Sequence, residues 1–114
     1  MHIANTTRGE SRAAARLVNA LIAAGYLISV NDGEETTINR TVSAQLALSA
    51  LATTDMNILV IHRNWREEST TWPRVGTITL IYGNATDGSE LVADWSWRDT
   101  PEGEAFNAFM DGLN

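Results

Sequence analysis

The residues best equipped for proton transfer in this chain are His62, Glu67 and Glu68. A histidine titrates near neutrality, and carboxylates close by could orient it or relay its proton. Here, though, the histidine ends an apolar run and the glutamates follow in a polar stretch, a pattern that ordinary folded proteins produce without any catalytic purpose. The other histidine, His2, stands near the start. No Gly-x-Ser-x-Gly elbow, glycine-rich phosphate loop or His-x-x-x-His pair occurs. Asp32, Glu34 and Glu35 resemble a fragment of a calcium loop, but the twelve-residue ligand spacing is missing. With no cysteine there is no thiolate nucleophile, zinc-thiolate site or disulfide. The sequence therefore assigns no catalytic residue, metal or cofactor. A hydrolase built on His62 and Glu67 is the least favoured reading.

Binding chemistry is better represented. Arg8, Arg12 and Arg16 recur at every fourth position, which stacks them on one face of a helix. Such a stripe is a solvated face, a contact for an anion, or an internal partner for acids elsewhere in the chain. All eight basic residues are arginine and fourteen residues are acidic, for a net charge of −6. That balance argues against direct nucleic-acid binding, which needs a basic footprint. Either base composition or a need for bidentate guanidinium forks accounts for the missing lysine. Residues 1–30 carry three arginines against Glu10 alone, a net of +2. Residues 85–114 carry Asp87, Glu90, Asp94, Asp99, Glu102, Glu104 and Asp111 against Arg98 alone, a net of −6. Glu102 and Glu104 suit the positive end of a helix dipole. The others are solvated charge or a surface that presents carboxylates to a basic groove.

Four tryptophans complete the inventory. Trp95 and Trp97 share one strand face with Leu91 and Ala93, because strand residues alternate. At least one of the two is expected beneath helices. Trp65 and Trp72 fall in the least regular segment, 63–74, beside Arg66 and Pro73. An exposed Trp/Arg cluster is the usual composition of a protein-interface hot spot. The partner-binding set read from the sequence is therefore Trp65, Arg66, Trp72, Glu90, Asp94, Asp99 and Glu102.

The elements that must position these residues follow from local signals. Thr7-Arg8-Gly9-Glu10 fits a capping box, and Ala14, Leu17, Val18, Leu21 and Ile22 give a first helix its apolar stripe over 8–24. Gly25 is the expected stop. Strands are predicted over 26–30 and 35–40 around the turn Asn31-Asp32-Gly33, the second polar enough for an edge. A helix follows over 43–52, capped by Thr41 or Ser43. The run 57–62 is almost continuously apolar, which predicts a central strand buried on both faces. Strands over 75–82 and 90–97 form a hairpin across 84–89. Thr100-Pro101 opens a last helix whose stripe is Ala105, Phe106, Phe109, Met110 and Leu113.

The order is α-β-β-α-β-β-β-α. It predicts one α+β domain, a mostly antiparallel five-stranded sheet with three helices on one face and the other face partly wet. The length of 114 residues suits a single domain with a genuine core. No run approaches the roughly 18 apolar residues of a membrane span, and the first residues lack a signal-peptide pattern, so a cytoplasmic protein is expected.

The stretches Ile28–Glu35, Thr53-Thr54-Asp55, Leu80–Asn84 and Val92-Ala93-Asp94 together resemble a group of small proteins encoded on phages, prophages and plasmids of proteobacteria. That group carries a V-x-D-G-E-E turn, a T-D-E-D break, an L-V-Y-G-N strand and a closing V-I-S-D-Y strand. The resemblance covers roughly residues 26–99. This chain departs at Met56-Asn57, where acids are usual, and at Trp95, where tyrosine is usual, and it adds the N-terminal helix. The resemblance implies a mobile-element context and a bacterial host cell. It implies no reaction.

The resulting expectation is a non-catalytic protein that binds and blocks a host protein complex. An inhibitor of anti-CRISPR or anti-restriction type, acting on a nucleic-acid-binding effector, is the form to test first. The alternative is a self-associating phage accessory protein, so monomer and homodimer both stay open.

Overall fold

The computed structural model describes residues 7–52, 56–63, 74–83 and 87–113. Its elements are α1 (Arg8–Ala23), β1 (Tyr26–Asn31), β2 (Thr36–Thr41), α2 (Ala44–Ser49), β3 (Met56–Arg63), β4 (Arg74–Ile81), β5 (Val92–Trp97) and α3 (Pro101–Leu113). The sheet runs β2-β1-β3-β4-β5, every neighbouring pair antiparallel. The α+β class, the five strands and the element order are those expected from the sequence.

Residues that lie opposite each other across an antiparallel pair share a face. Tracing the register gives one row Val30–Leu59–Ile78–Trp95 and a second Ile28–Ile61–Gly76–Trp97. These rows meet Leu17 and Leu21 of α1, Ala47 and Leu48 of α2, and Phe106 and Met110 of α3 in a single buried cluster. All three helices thus cover the same face. The opposite face carries the rows Ser29–Val60–Thr77–Ser96 and Asn31–Ile58–Thr79–Asp94. No described helix lies over it.

Local chemistry sets the ends of the elements. The Thr7 hydroxyl accepts the Glu10 amide and the Glu10 carboxylate accepts the Thr7 amide, both at 3.1 Å, so the capping box is complete. Gly25, at φ 93°, ends the first helix in a conformation that only glycine adopts at little cost. Ser43, not Thr41, caps α2. Thr41 instead accepts the Ser43 amide. Thr100 caps α3 by accepting the Gly103 amide at 3.0 Å.

Three details differ from the sequence expectations. First, α2 ends at Ser49, short of the expected Ala52. Ala52 turns into the left-handed region at φ 61°, and its amide donates to Asn57 Oδ1 at 2.8 Å. The Asn57 side chain captures the chain just where helical bonding stops. Second, β3 is central, but its burial alternates: Asn57, Leu59 and Ile61 are buried while Met56, Ile58, Val60 and His62 are half-buried. Its apolar run reflects one face covered by the helices and one apolar face that no described helix covers. Third, β5 begins at Val92, and Ala93 is an extra residue. Thr79 pairs with Asp94 and Leu80 with Val92, so a bulge turns Val92 instead of Ala93 toward the helices.

The edge strand β2 is irregular too. Its register against β1 slips twice, and Arg40 sits at φ 47°. The Arg40 amide donates to Ser29 Oγ at 2.9 Å, which holds the bulged backbone in place. Bulged, polar edges resist pairing with another chain's strand.

Candidate functional site

Ser29 and His62 come within 3.3 Å of each other on the open face of the sheet, a pairing invisible in the sequence. A serine beside a histidine raises the question of nucleophilic chemistry. The hydrogen bonds around Ser29 give it a part in the fold. Its Oγ accepts the Arg40 amide and donates to Asn39 Oδ1 at 3.3 Å. His62 Nε2 lies at the same 3.3 Å, and the donor across that contact is set by the imidazole tautomer. Ser29 is also buried, at 4% exposure. The pair supports the β2 bulge. Glu67 and Glu68 lie outside the described residues.

Asp32 is likewise committed to the backbone. Its carboxylate accepts the Glu34 and Glu35 amides, both at 2.9 Å, and those bonds hold its pKa below the usual carboxylate value. Together with the Gly33 amide donating to Asn31 Oδ1, this makes a tight turn rather than a metal loop. Among the described residues no three His, Asp or Glu side chains converge as metal ligands. Among them, too, no helix is long and apolar enough to cross a membrane.

The sequence-derived binding residues separate into three sets. Trp65, Arg66 and Trp72 lie outside the described residues. Glu90, Asp94 and Asp99 are exposed, Glu90 in the turn before β5, Asp94 on β5 and Asp99 just after it. Asp94 Oδ1 accepts the neighbouring Trp95 amide at 2.9 Å, and no described arginine pairs with any of the three. Glu102 is different. In the first turn of α3 it accepts Arg63 of β3 at 3.2 Å, both side chains remaining partly exposed. A half-exposed pair of this kind contributes at most about 1 kcal/mol, but it occupies the carboxylate that the sequence had assigned to a partner.

The two described tryptophans also separate. Trp95 is half-buried against α3, its Nε1 donating to Asn107 Oδ1 at 3.0 Å. Trp97, two residues on and on the same side of the strand, is 45% exposed. Phe106 fills the space over Gly76, the residue opposite Trp97. The indole is left at the margin of the sheet. Alternation alone gives both rings the same surroundings, and only the placement of Phe106 and Asn107 tells them apart.

Among the described residues, the outer side of β5 has no strand neighbour. Along this edge the Trp97 indole is exposed on the helix side and the Asp94 carboxylate on the open side, with Glu90 before the strand and Asp99 after it. The arginine stripe of α1 is exposed, and no described acid pairs with it. That removes internal pairing with the acidic C-terminal third as an explanation for the stripe. The chain matches no protein-family model, no characterised protein and no solved structure.

Proposed function

We propose that this chain is a non-catalytic binding protein whose acidic β5 margin covers a basic surface on a larger partner. One observation carries the reading: the edge strand β5 exposes Trp97 on its helix-side face and Asp94 on its open face, with Glu90 before the strand and Asp99 after it also exposed, and none of these acids is neutralised by a described arginine. An aromatic anchor supplies contact area, and surrounding carboxylates supply orientation and rate of encounter with a cationic groove. A groove of that kind is what a nucleic-acid-binding protein offers to phosphates. With the phage-like motifs, this makes the partner a host nucleic-acid-binding complex and the protein its blocker, a defence inhibitor of anti-CRISPR or anti-restriction type acting inside the bacterial cell. The burial of Ser29 and the backbone bonds of Asp32 support a binding role over a catalytic one.

The test is affinity capture from host lysate at low and high salt, repeated with a Glu90→Gln, Asp94→Asn, Asp99→Asn variant and with Trp97→Ser. The expected result is capture of a nucleic-acid-binding complex that weakens with salt and with either variant. Capture indifferent to salt and to both changes removes the proposed surface. The alternative is self-association through an open edge. Light scattering over a range of concentrations decides it, since a concentration-independent monomer excludes that reading.

A further inference from the structure

The arginine stripe of α1 has a cost and no visible internal return. Arg8 is the first residue of the helix, where the macrodipole is positive and a cation is disfavoured. Arg8–Arg12 and Arg12–Arg16 are like-charged pairs at i, i+4, which further destabilise a helix. The one acid of the first turn, Glu10, does not offset them, because its carboxylate points inward to the Thr7 and Gly83 amides. Arg8, Arg12 and Arg16 line a shallow hollow bordered by Asp87, yet Asp87 Oδ1 accepts the Ser89 amide at 2.9 Å and no described arginine pairs with it.

Beside the stripe the surface turns apolar. A cleft of about 200 Å³ runs along Arg16 and Leu17 of α1 to Leu91 and Val92, and on to Met110 and Leu113 of α3. It shares Ala13 and Arg16 with the arginine hollow, so the two form one continuous trough. The cleft falls below the roughly 300–1,000 Å³ of small-molecule sites. It suits an anchoring aliphatic side chain better than a whole ligand. Helix geometry spaces the three arginines about 6 Å apart over about 12 Å, too long a row for one carboxylate or phosphate headgroup. Among the described residues no aromatic side chain lines either part of the trough, so they offer no stacking platform for single-stranded nucleic acid.

We infer that this trough docks an acidic, amphipathic peptide segment of a partner protein, its carboxylates on Arg8, Arg12 and Arg16 and an aliphatic side chain in the cleft by Leu113. The cleft adjoins the acidic β5 margin at Ser89, Leu91 and Val92 but uses different side chains from Trp97, Glu90, Asp94 and Asp99, and its failure would leave that reading intact. Two opposite surfaces of this kind let one small protein bridge a basic partner and an acidic one.

Fluorescence anisotropy tests it with a labelled helical peptide of roughly 14 residues, about four turns, bearing Glu at every fourth position and Leu on the adjoining face. Controls are the same peptide with Gln for Glu, a polyglutamate of equal charge, single-stranded DNA and anionic phospholipid vesicles. The Glu/Leu peptide should bind, and the Gln version and polyglutamate should bind roughly tenfold more weakly or worse. Protein carrying Arg8→Gln, Arg12→Gln and Arg16→Gln should lose binding to the same degree, and Leu113→Ser should weaken it. The triple variant should keep its circular dichroism spectrum and melt no lower than the parent, since it removes charges the helix disfavours. No binding by the Glu/Leu peptide, equal binding by the triple variant, or preference for DNA, vesicles or polyglutamate overturns the inference.

Discussion

Glu10 Oε2 accepts the Gly83 amide at 2.6 Å, tying the first turn of α1 to the residues just after β4 across 73 positions of sequence. The other carboxylate oxygen completes the capping box with Thr7. One buried side chain, 2% exposed, therefore starts a helix and fixes that helix on the sheet. Such bonds are charge-assisted and shielded from water, worth about 1.5–3 kcal/mol, and the cap adds about 1 kcal/mol. Glu10→Ala should lower unfolding stability by about 2–4 kcal/mol in urea titrations, with an unchanged slope. Glu10→Gln, which keeps one acceptor, should cost about half as much. A loss below about 1 kcal/mol for Glu10→Ala would show that the tie contributes nothing beyond an ordinary cap.

Asn57 is the second fastening, and it carries a pH dependence. Its Oδ1 accepts both the Ala52 amide and the Tyr82 hydroxyl, the latter at 2.6 Å, while its Nδ2 donates to the Asn31 carbonyl at 3.0 Å. Truncation strands all three partners, so Asn57→Ala should cost about 3 kcal/mol. Burial pushes the Tyr82 hydroxyl well above its ordinary value, and the nearby Glu10 carboxylate adds to the shift against the opposing Ala52 backbone. Burial raises Tyr26 as well, with Arg63 opposing. Both phenols stay protonated in the fold at a pH where the unfolded chain, with an ordinary value of about 10, releases their protons. Their contribution is therefore complete below pH about 10 and declines as pH rises beyond it. Stability measured from pH 8 upward, in steps of about one unit, should fall past that point. Tyr82→Phe should flatten the fall, and an unchanged slope in that variant refutes the assignment.

What the sequence reveals about this fold depends on how far apart the interacting residues are. The Thr7/Glu10 box, the Gly25 stop, the Asn31-Asp32-Gly33 turn and the Thr100-Pro101 start are contacts within a few residues, and each is legible from residue types. The apolar run 57–62 marks β3 as central, as it is, although only one of its faces is covered by the helices. Asn57 sits inside that run as an apparent interruption, and its three partners are 5, 26 and 25 positions away. The Arg63–Glu102 pair spans 39 positions. Neither is encoded in spacing. For the candidate surface, the acid excess after residue 85 is plain in the sequence, whereas the exposure of Trp97 and the commitment of Glu102 depend on how α3 lies across β4 and β5.

That placement of α3 rests on Gly76. A Cβ at this position would meet the Ser96 carbonyl and lie 2.5 Å from the Phe106 ring, so the helix can approach β4 only because nothing projects there. Phe106 is wholly buried and cannot give way without opening the core. Gly76→Ala should therefore destabilise by about 3 kcal/mol, at the upper end of what overpacking costs. Gly112, near the end of α3, provides the contrast. A Cβ there meets nothing within 4 Å, and the backbone is helical without a positive φ. Gly112→Ala should stabilise by about 0.5–1 kcal/mol, because it restricts the unfolded chain and suits a helix. Thermal melts of the two variants measured side by side check the prediction. A Gly76→Ala protein that melts with the parent would mean that α3 does not lie this close to the sheet, and the margin that leaves Trp97 exposed would then have to be drawn differently.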